Sequence, residues 1–178
     1  MALKSTVYRV ELDVSDIDRG YYASHTLTLA RHPSETEQRL MVRLLAFVLH
    51  ADPRLAFGRG LSADEDPDLW IRDDTGAVRL WIDVGLPDER RVRRAAGRSA
   101  ALAVLAYGER ATRVWWEKNA TAFTRLPQLA VRSLTDRELA ELGELAKRNM
   151  RLHAVCQEGQ ITLGDDERQA VIEPRCLK

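Results

Sequence analysis

The stretch Glu65-Asp66-Pro67-Asp68-Leu69-Trp70-Ile71-Arg72, a turn at Asp73-Asp74-Thr75-Gly76, and then Ala77-Val78-Arg79-Leu80-Trp81-Ile82-Asp83-Val84-Gly85 decide the reading of this chain. Two short β-type runs around a Gly-containing turn predict a hairpin. A register pairing Arg72 with Ala77, and so Asp68 with Trp81, sorts the side chains by parity. Leu69, Ile71, Val78, Leu80, Ile82 and Val84 share an aliphatic face that belongs in a core. Asp68, Trp70, Arg72, Arg79, Trp81 and Asp83 share the other face, the one on which chemistry can sit. There Asp83 is a diagonal neighbour of Asp68, roughly 7 Å away or somewhat less, a separation that one hydrated divalent cation can bridge.

Pro67-Asp68 heading one strand, with Asp83-Val84-Gly85 on the next, is the skeleton of the PD-(D/E)xK nuclease motif. The pattern is short, and two aspartates solvating the rim of a hairpin give the same letters.

Moving outward, Thr6 to Val14 and Tyr22 to Arg31 alternate as half-buried strands and predict an N-terminal hairpin. Ser34 followed by Glu37 reads as a capping box opening a largely apolar helix through about His50. Glu35 then falls in its first turn, either complementing the helix dipole or serving as a further acid beside Asp68 and Asp83. Asp52 to Asp66 reads as a turn and loop. Pro87-Asp88-Glu89 opens a second helix whose Val92, Ala95, Ala96 and Ser99 form a narrow small-residue stripe. On it Arg91, Arg94 and Arg98 share one side at i, i+3 and i+7, either as a solvated face or as a rail for nucleic-acid phosphates. Ala101 to Tyr107 predicts a buried parallel strand closing a β-α-β crossover. Val114-Trp115-Trp116 begins a short helix or aromatic-rich connection to about Thr124, whose tryptophans either stack a base or, as aromatic pairs usually do, belong in the core. Leu129 to Ser133 is a strand, Thr135 caps a helix to Arg148, and Met150 to Gln157, Gln160 to Leu163 and Gln169 to Ile172 predict a C-terminal meander.

Tyr21 to Thr36, Met41 to Phe47, Glu65 to Trp70, Leu80 to Arg91 and Val114 to Trp116 closely resemble the bacterial YaeQ family, and the resemblance runs nearly end to end. It implies an α/β, restriction-endonuclease-like mixed sheet flanked by helices, with a variant PD-(D/E)xK centre, over residues 1–178 as a single domain. In that superfamily the two carboxylates hold Mg²⁺ or Mn²⁺, which activates water and stabilises charge on the phosphate. Asp68 and Asp83 match the metal positions. The lysine that follows the second acid by two residues is here Gly85. Lys4, Lys118, Lys147 and Lys178 all lie outside the hairpin and its following helix. Arg91 or Arg94 can replace its charge but not its basicity, because guanidinium does not deprotonate in proteins. Base catalysis then falls to Glu35 or to solvent.

Composition narrows the function. Lys+Arg and Asp+Glu both total 27, so the chain has no global positive field for tight non-specific binding of duplex. Cys156 and Cys176 belong to no metal-ligand cluster. No run approaches the ~20 apolar residues of a membrane span, and the expected compartment is the cytoplasm. Three classes remain: a metal-dependent phosphodiesterase acting on nucleic acid, a non-catalytic nucleic-acid-binding module on a degenerate nuclease scaffold, and a regulatory interaction protein.

Overall fold

The computed structural model of the chain describes residues 4–59 and 65–178. The loop expected over Asp52 to Asp66 thus lies partly outside the described residues, and the part that is described contains a short strand, β3 (Leu55–Phe57). Among the described residues the protein is a mixed α/β fold of two mixed sheets and four helices.

The hairpin expected from its alternation is β4 (Leu69–Arg72) and β5 (Val78–Val84). The two faces divide as parity requires, but the register is two residues away from the expected one: Trp70, not Asp68, lies opposite Trp81, and Leu69 lies opposite Ile82. The reason is a longer loop plus a bulge between Ile71 and Arg72. The Asp73 carboxylate accepts from the Thr75 and Ala77 backbone N–H groups and closes that loop.

β5 runs parallel to β6 (Ser99–Ala106), and β6 runs parallel to β7 (Leu129–Ser133). α2 (Glu89–Ala96) makes the crossover between β5 and β6, as expected, and the six-stranded order is β11-β7-β6-β5-β4-β3, with β11 at Arg175–Cys176. The second sheet was legible only in pieces. The N-terminal hairpin, β1 (Thr6–Asp16) and β2 (Tyr21–Arg31), joins the meander β8 (Asn149–Gln157), β9 (Gln160–Gly164) and β10 (Gln169–Ile172) through a parallel β1–β8 ladder, in the order β10-β9-β8-β1-β2.

Between the sheets lies α1 (Glu37–Leu49), and the run Leu40 to Val48 is buried throughout. A helix apolar on all sides needs cover on all sides, and one apolar cluster joins α1 to residues of both sheets, including Leu12, Leu29, Leu69, Ile82 and Leu152. α4 (Asp136–Gly143) packs on α1. The far face of the six-stranded sheet is covered by α2 and α3 (Glu109–Phe123), around Trp81, Val92, Leu102, Trp115 and Phe123. The face read as open for chemistry is therefore partly core: Trp81 is only 4% exposed and Asp68 and Asp83 are buried at one end of the hairpin, whereas Arg72 and Arg79 stay exposed at the other.

Four helix boundaries differ from expectation. α1 is capped by Thr36, which accepts from Arg39 N–H, because the Ser34 hydroxyl is engaged with His32 Nδ1 at 2.6 Å. α2 stops at Ala96 with Gly97 as its cap, so Arg98 lies beyond the helix and the i, i+3, i+7 stripe is interrupted. α3 begins five residues before Val114, and α4 stops at Gly143, short of Arg148. Among the described residues, no helix is long and apolar enough to cross a membrane.

Candidate functional site: an acid centre held by arginines

Asp83 is the penultimate residue of β5 and Asp68 immediately precedes β4, so the observed register carries Asp68 directly opposite Asp83 at one end of the hairpin. This is the carboxyl end of the parallel strands β5 and β6, where open α/β sheets place their ligands. Both aspartates are buried, at 6% and 1% exposure.

Backbone geometry holds them there. The Asp68 carbonyl accepts from Gly58 N–H at 2.9 Å, while its carboxylate Oδ2 accepts from Val84 N–H at 2.8 Å and so ends the β4–β5 ladder. Gly58 has no room for a side chain, since a Cβ there would stand 1.9 Å from the Pro67 carbonyl oxygen. Asp68 is thus fixed from both sides by main chain.

The third expected acid, Glu35, comes to the same region through an arginine. Glu35 precedes the helix rather than sitting in its first turn, and it is 4% exposed. Arg39 donates from Nη1 to Glu35 Oε1 at 2.9 Å and from Nη2 to Asp68 Oδ1 at 2.8 Å. Arg43, itself buried, grips Glu35 in a fork, Nε to Oε1 at 2.8 Å and Nη2 to Oε2 at 2.9 Å. On the other side Arg91 grips Asp83 in a second fork, Nε to Oδ2 and Nη2 to Oδ1, both at 2.7 Å, and also donates to the Asp66 carbonyl at 2.9 Å. Asp88 caps α2 by accepting from Arg91 N–H at 2.7 Å, which places this side chain over the end of β5.

Three carboxylates and three guanidinium groups thus form a locally neutral, mostly buried cluster. Burial raises the Asp83 pKa above the usual carboxylate value; Arg91 opposes the shift and the neighbouring Asp68 adds to it. Trp81 Nε1, on the same face, has no hydrogen-bond partner within ordinary distance among the described residues and attracts the Asp83 charge only weakly. Burial works against the charge of Arg39, yet Asp68 and Glu35 together raise its pKa. Tyr107 stands beside this pair, and burial raises its phenol.

Gly85, at the position of the motif's lysine, has φ 99° and donates its N–H to the Leu105 carbonyl. A Cβ there would touch Tyr107 Cε1 at 3.8 Å. The backbone at this point is therefore in a region that a lysine would enter only with strain.

Tested against a hard cation, the donor set fits poorly. Each oxygen of Glu35, Asp68 and Asp83 already accepts from a guanidinium or a backbone N–H. Among the described residues no group of three His, Cys, Asp or Glu side chains is placed to hold a metal ion. What the arrangement does well is fix arginines at the strand ends.

Of the other expected site residues, Arg94 and Arg98 reach, among the described residues, only Glu65, at 3.7 and 3.8 Å, in pairs open to solvent. Arg39, Arg43 and Tyr107 were missed. A signal for two of them was present: Glu35, Arg39 and Arg43 fall four residues apart, and Arg43 interrupts the run Leu40-Met41-Val42-Arg43-Leu44-Leu45. A charge in the middle of a buried helix demands a partner.

A family model described as YaeQ protein matches residues 1–174. The chain belongs to the YaeQ family. The uncharacterized protein YaeQ of Escherichia coli (strain K12) is 46% identical over 167 residues, covering 94% of this chain and 92% of the relative. The protein of the same name from Salmonella typhi is 44% identical over 173 residues, covering 97% and 96%. The crystal structure of the YaeQ protein from Xanthomonas axonopodis pv. citri superposes with a TM-score of 0.95 at 52% identity, covering 98% of each chain. That of the YaeQ protein from Pseudomonas syringae gives 0.93 at 37% identity, covering 98% of this chain and 96% of that one. The two-sheet arrangement is therefore that of solved YaeQ-family structures.

Proposed function

We propose that this protein is a cytoplasmic nucleic-acid-binding protein on a restriction-endonuclease-like scaffold, in which arginines hold the acid centre and turnover has been given up. One observation carries the reading: all three acids expected of a PD-(D/E)xK centre are engaged by arginine. A glycine at φ 99° in the lysine position supports it. Beside this centre, α2 and the residues after it present Arg90, Arg94 and Arg98. The pairs of Arg94 and Arg98 with Glu65 are long and solvated, so phosphates compete for these guanidinium groups at little cost.

A second reading, hydrolysis of phosphodiesters with Mg²⁺ or Mn²⁺ at Asp68 and Asp83, is favoured by one feature, the adjacency of the two aspartates across β4 and β5. It requires Arg39 and Arg91 to release them.

Fluorescence anisotropy with labelled single-stranded and duplex DNA and RNA, in chelator and over a salt series, separates the readings. Binding in chelator, weakening linearly with the logarithm of salt concentration and further weakened by Arg90→Glu with Arg94→Glu, is the expected result. No binding at protein concentrations on the order of 10⁻⁴ M, the weak end of non-specific affinities, overturns the proposal. Cleavage that needs Mn²⁺ and is lost in Asp68→Asn establishes the second reading instead.

A further inference from the structure

Away from the acid centre, a cavity of about 580 Å³ lies between α3, the carboxyl end of β7 and β11. That volume is within the range of small-molecule sites. Arg110 and Arg113 come to it from the first turns of α3, Arg175 from β11, Trp116 from α3 and Ser133 from the end of β7.

Three of the arginines that meet no carboxylate among the described residues come together here. Most arginines of this protein meet a carboxylate, and Arg31, Arg72 and Arg148 lie over aromatic rings. Arg110, Arg113 and Arg175 have neither partner among the described residues. The two acids that also line the cavity are turned to another task. Glu109 N–H donates to Asp136 Oδ1 at 2.9 Å and Asp136 N–H donates to Glu109 Oε2 at 3.1 Å, so each carboxylate closes the start of the other's helix. Gly108 supplies α3 with no side-chain cap of its own, and the Asp136 carboxylate takes that role at the rim.

Ser133 lines the cavity beside the three arginines, and its hydroxyl, which keeps contact with solvent, has no hydrogen-bond partner among the described residues and is open to a ligand. Trp116 adds a flat apolar surface, half-buried against Trp115 and Phe123 at centroid separations of 6.2 and 6.4 Å.

We propose that this cavity binds a nucleotide-type organic phosphate, with the phosphate met by Arg110, Arg113 and Arg175 and the Ser133 hydroxyl, and the base lying against Trp116. Guanidinium groups match phosphate oxygens in geometry and charge, and an indole face stacks any base. The ligand is either a free mononucleotide or the phosphorylated end of a strand. The site shares no residue with the acid centre, so it stands or falls apart from the function proposed above.

Titration calorimetry on the full chain tests it, with adenosine 5′-monophosphate, adenosine, inorganic phosphate, and a short oligonucleotide with and without a 5′-phosphate as probes. The monophosphate is expected to bind at least about tenfold more tightly than either adenosine or inorganic phosphate. Arg110→Glu with Arg113→Glu should lower that affinity by about tenfold or more while leaving the thermal unfolding midpoint in place, and Arg90→Glu, outside the cavity, should not lower it. Tighter binding of the 5′-phosphorylated oligonucleotide than of the mononucleotide assigns the cavity to strand ends; the reverse assigns it to free nucleotide. No binding of either phosphorylated probe at about 1 mM, the weak limit for a specific site, overturns the proposal. So does equal affinity for inorganic phosphate, or affinity unchanged in the double variant.

Discussion

Three arginines surround the acid centre and three line the α3 cavity, yet the two sets are in opposite states. Arg39, Arg43 and Arg91 are each bound to a buried carboxylate at 2.9 Å or less. Arg110, Arg113 and Arg175 have no carboxylate partner among the described residues, and the acids beside them are spent on helix starts. The same residue type serves two purposes because its surroundings differ. Where arginine and acid are buried together, the cluster is neutral and removing one member strands the other. Where arginine is exposed and unpaired, its charge remains available to an incoming anion.

The sharpest way to break this contrast is to remove one charge from each set. Glu35→Gln leaves Arg43, 1% exposed, without its carboxylate, and an uncompensated buried charge of this kind costs about 3–5 kcal/mol. Arg113→Ala, in the exposed set, should change stability by no more than about 0.5 kcal/mol. Urea unfolding of both variants gives the comparison directly. A Glu35→Gln protein within about 1 kcal/mol of the parent would mean that the arginine-held cluster is not a closed structural unit.

Asp83→Asn comes next, at about 1.5–3 kcal/mol for the lost charged hydrogen bonds, because the Arg91 side chain retains 29% exposure and can turn to water. Its pH dependence is the finer readout. The folded pKa of Asp83 is raised, so the folded state holds this proton more tightly than the unfolded chain does. The associated stability is fully present below the ordinary value of 3.8 and is lost as pH rises through the folded value. Relative to Asp83→Asn, the parent should therefore be at its most stable at the acid end of a pH series and lose that advantage on going up. A difference that grows with pH would mean that Arg91, not burial, governs this carboxylate.

How much of this was legible in the sequence follows the range of the forces involved. Strand parity in Leu69 to Arg72 and Val78 to Val84, the apolar run of β6 and the Thr135 cap of α4 are local, and the structure shows them where the residues put them. The hairpin register depended on the Asp73 loop and a bulge that leave no clear mark in the letters. The parallel ladder between β1 and β8 joins Arg9 to Asn149, a pairing that no local periodicity encodes. At the site, the order of Asp68 and Asp83 along the chain was readable. That arginines from α1 would hold Asp68 and Glu35 was not, although Arg43 within an apolar helix was a clue. Gly85 was read as a missing lysine, whereas its φ of 99° shows that the position suits a residue without a side chain. Gly85→Ala is expected to cost about 1–2 kcal/mol from backbone strain alone, since its Cβ would make only an ordinary contact with Tyr107. Thermal unfolding that places the variant at or above the parent would show that the backbone relaxes, and Gly85→Lys would then be a workable route to the complete motif.

The smallest effect tests the boundary between the paired and unpaired states. Glu65 approaches Arg94 and Arg98 at 3.7 and 3.8 Å, but its side chain is 70% exposed, and so water screens both interactions. By the logic of the comparison, these arginines belong with the open set even though a carboxylate stands near them. Glu65→Ala should thus leave stability within about 1 kcal/mol of the parent, the ordinary worth of a solvated ion pair. Its effect should appear in binding: with the competing carboxylate gone, affinity for a polyanion rises at low salt, and the difference shrinks as salt screens both competitors. Equilibrium unfolding and a salt series of anisotropy titrations measure the two quantities separately. A clear loss of stability without a change in polyanion affinity would place Arg94 and Arg98 with the closed set, and would confine the open arginines of this face to Arg90.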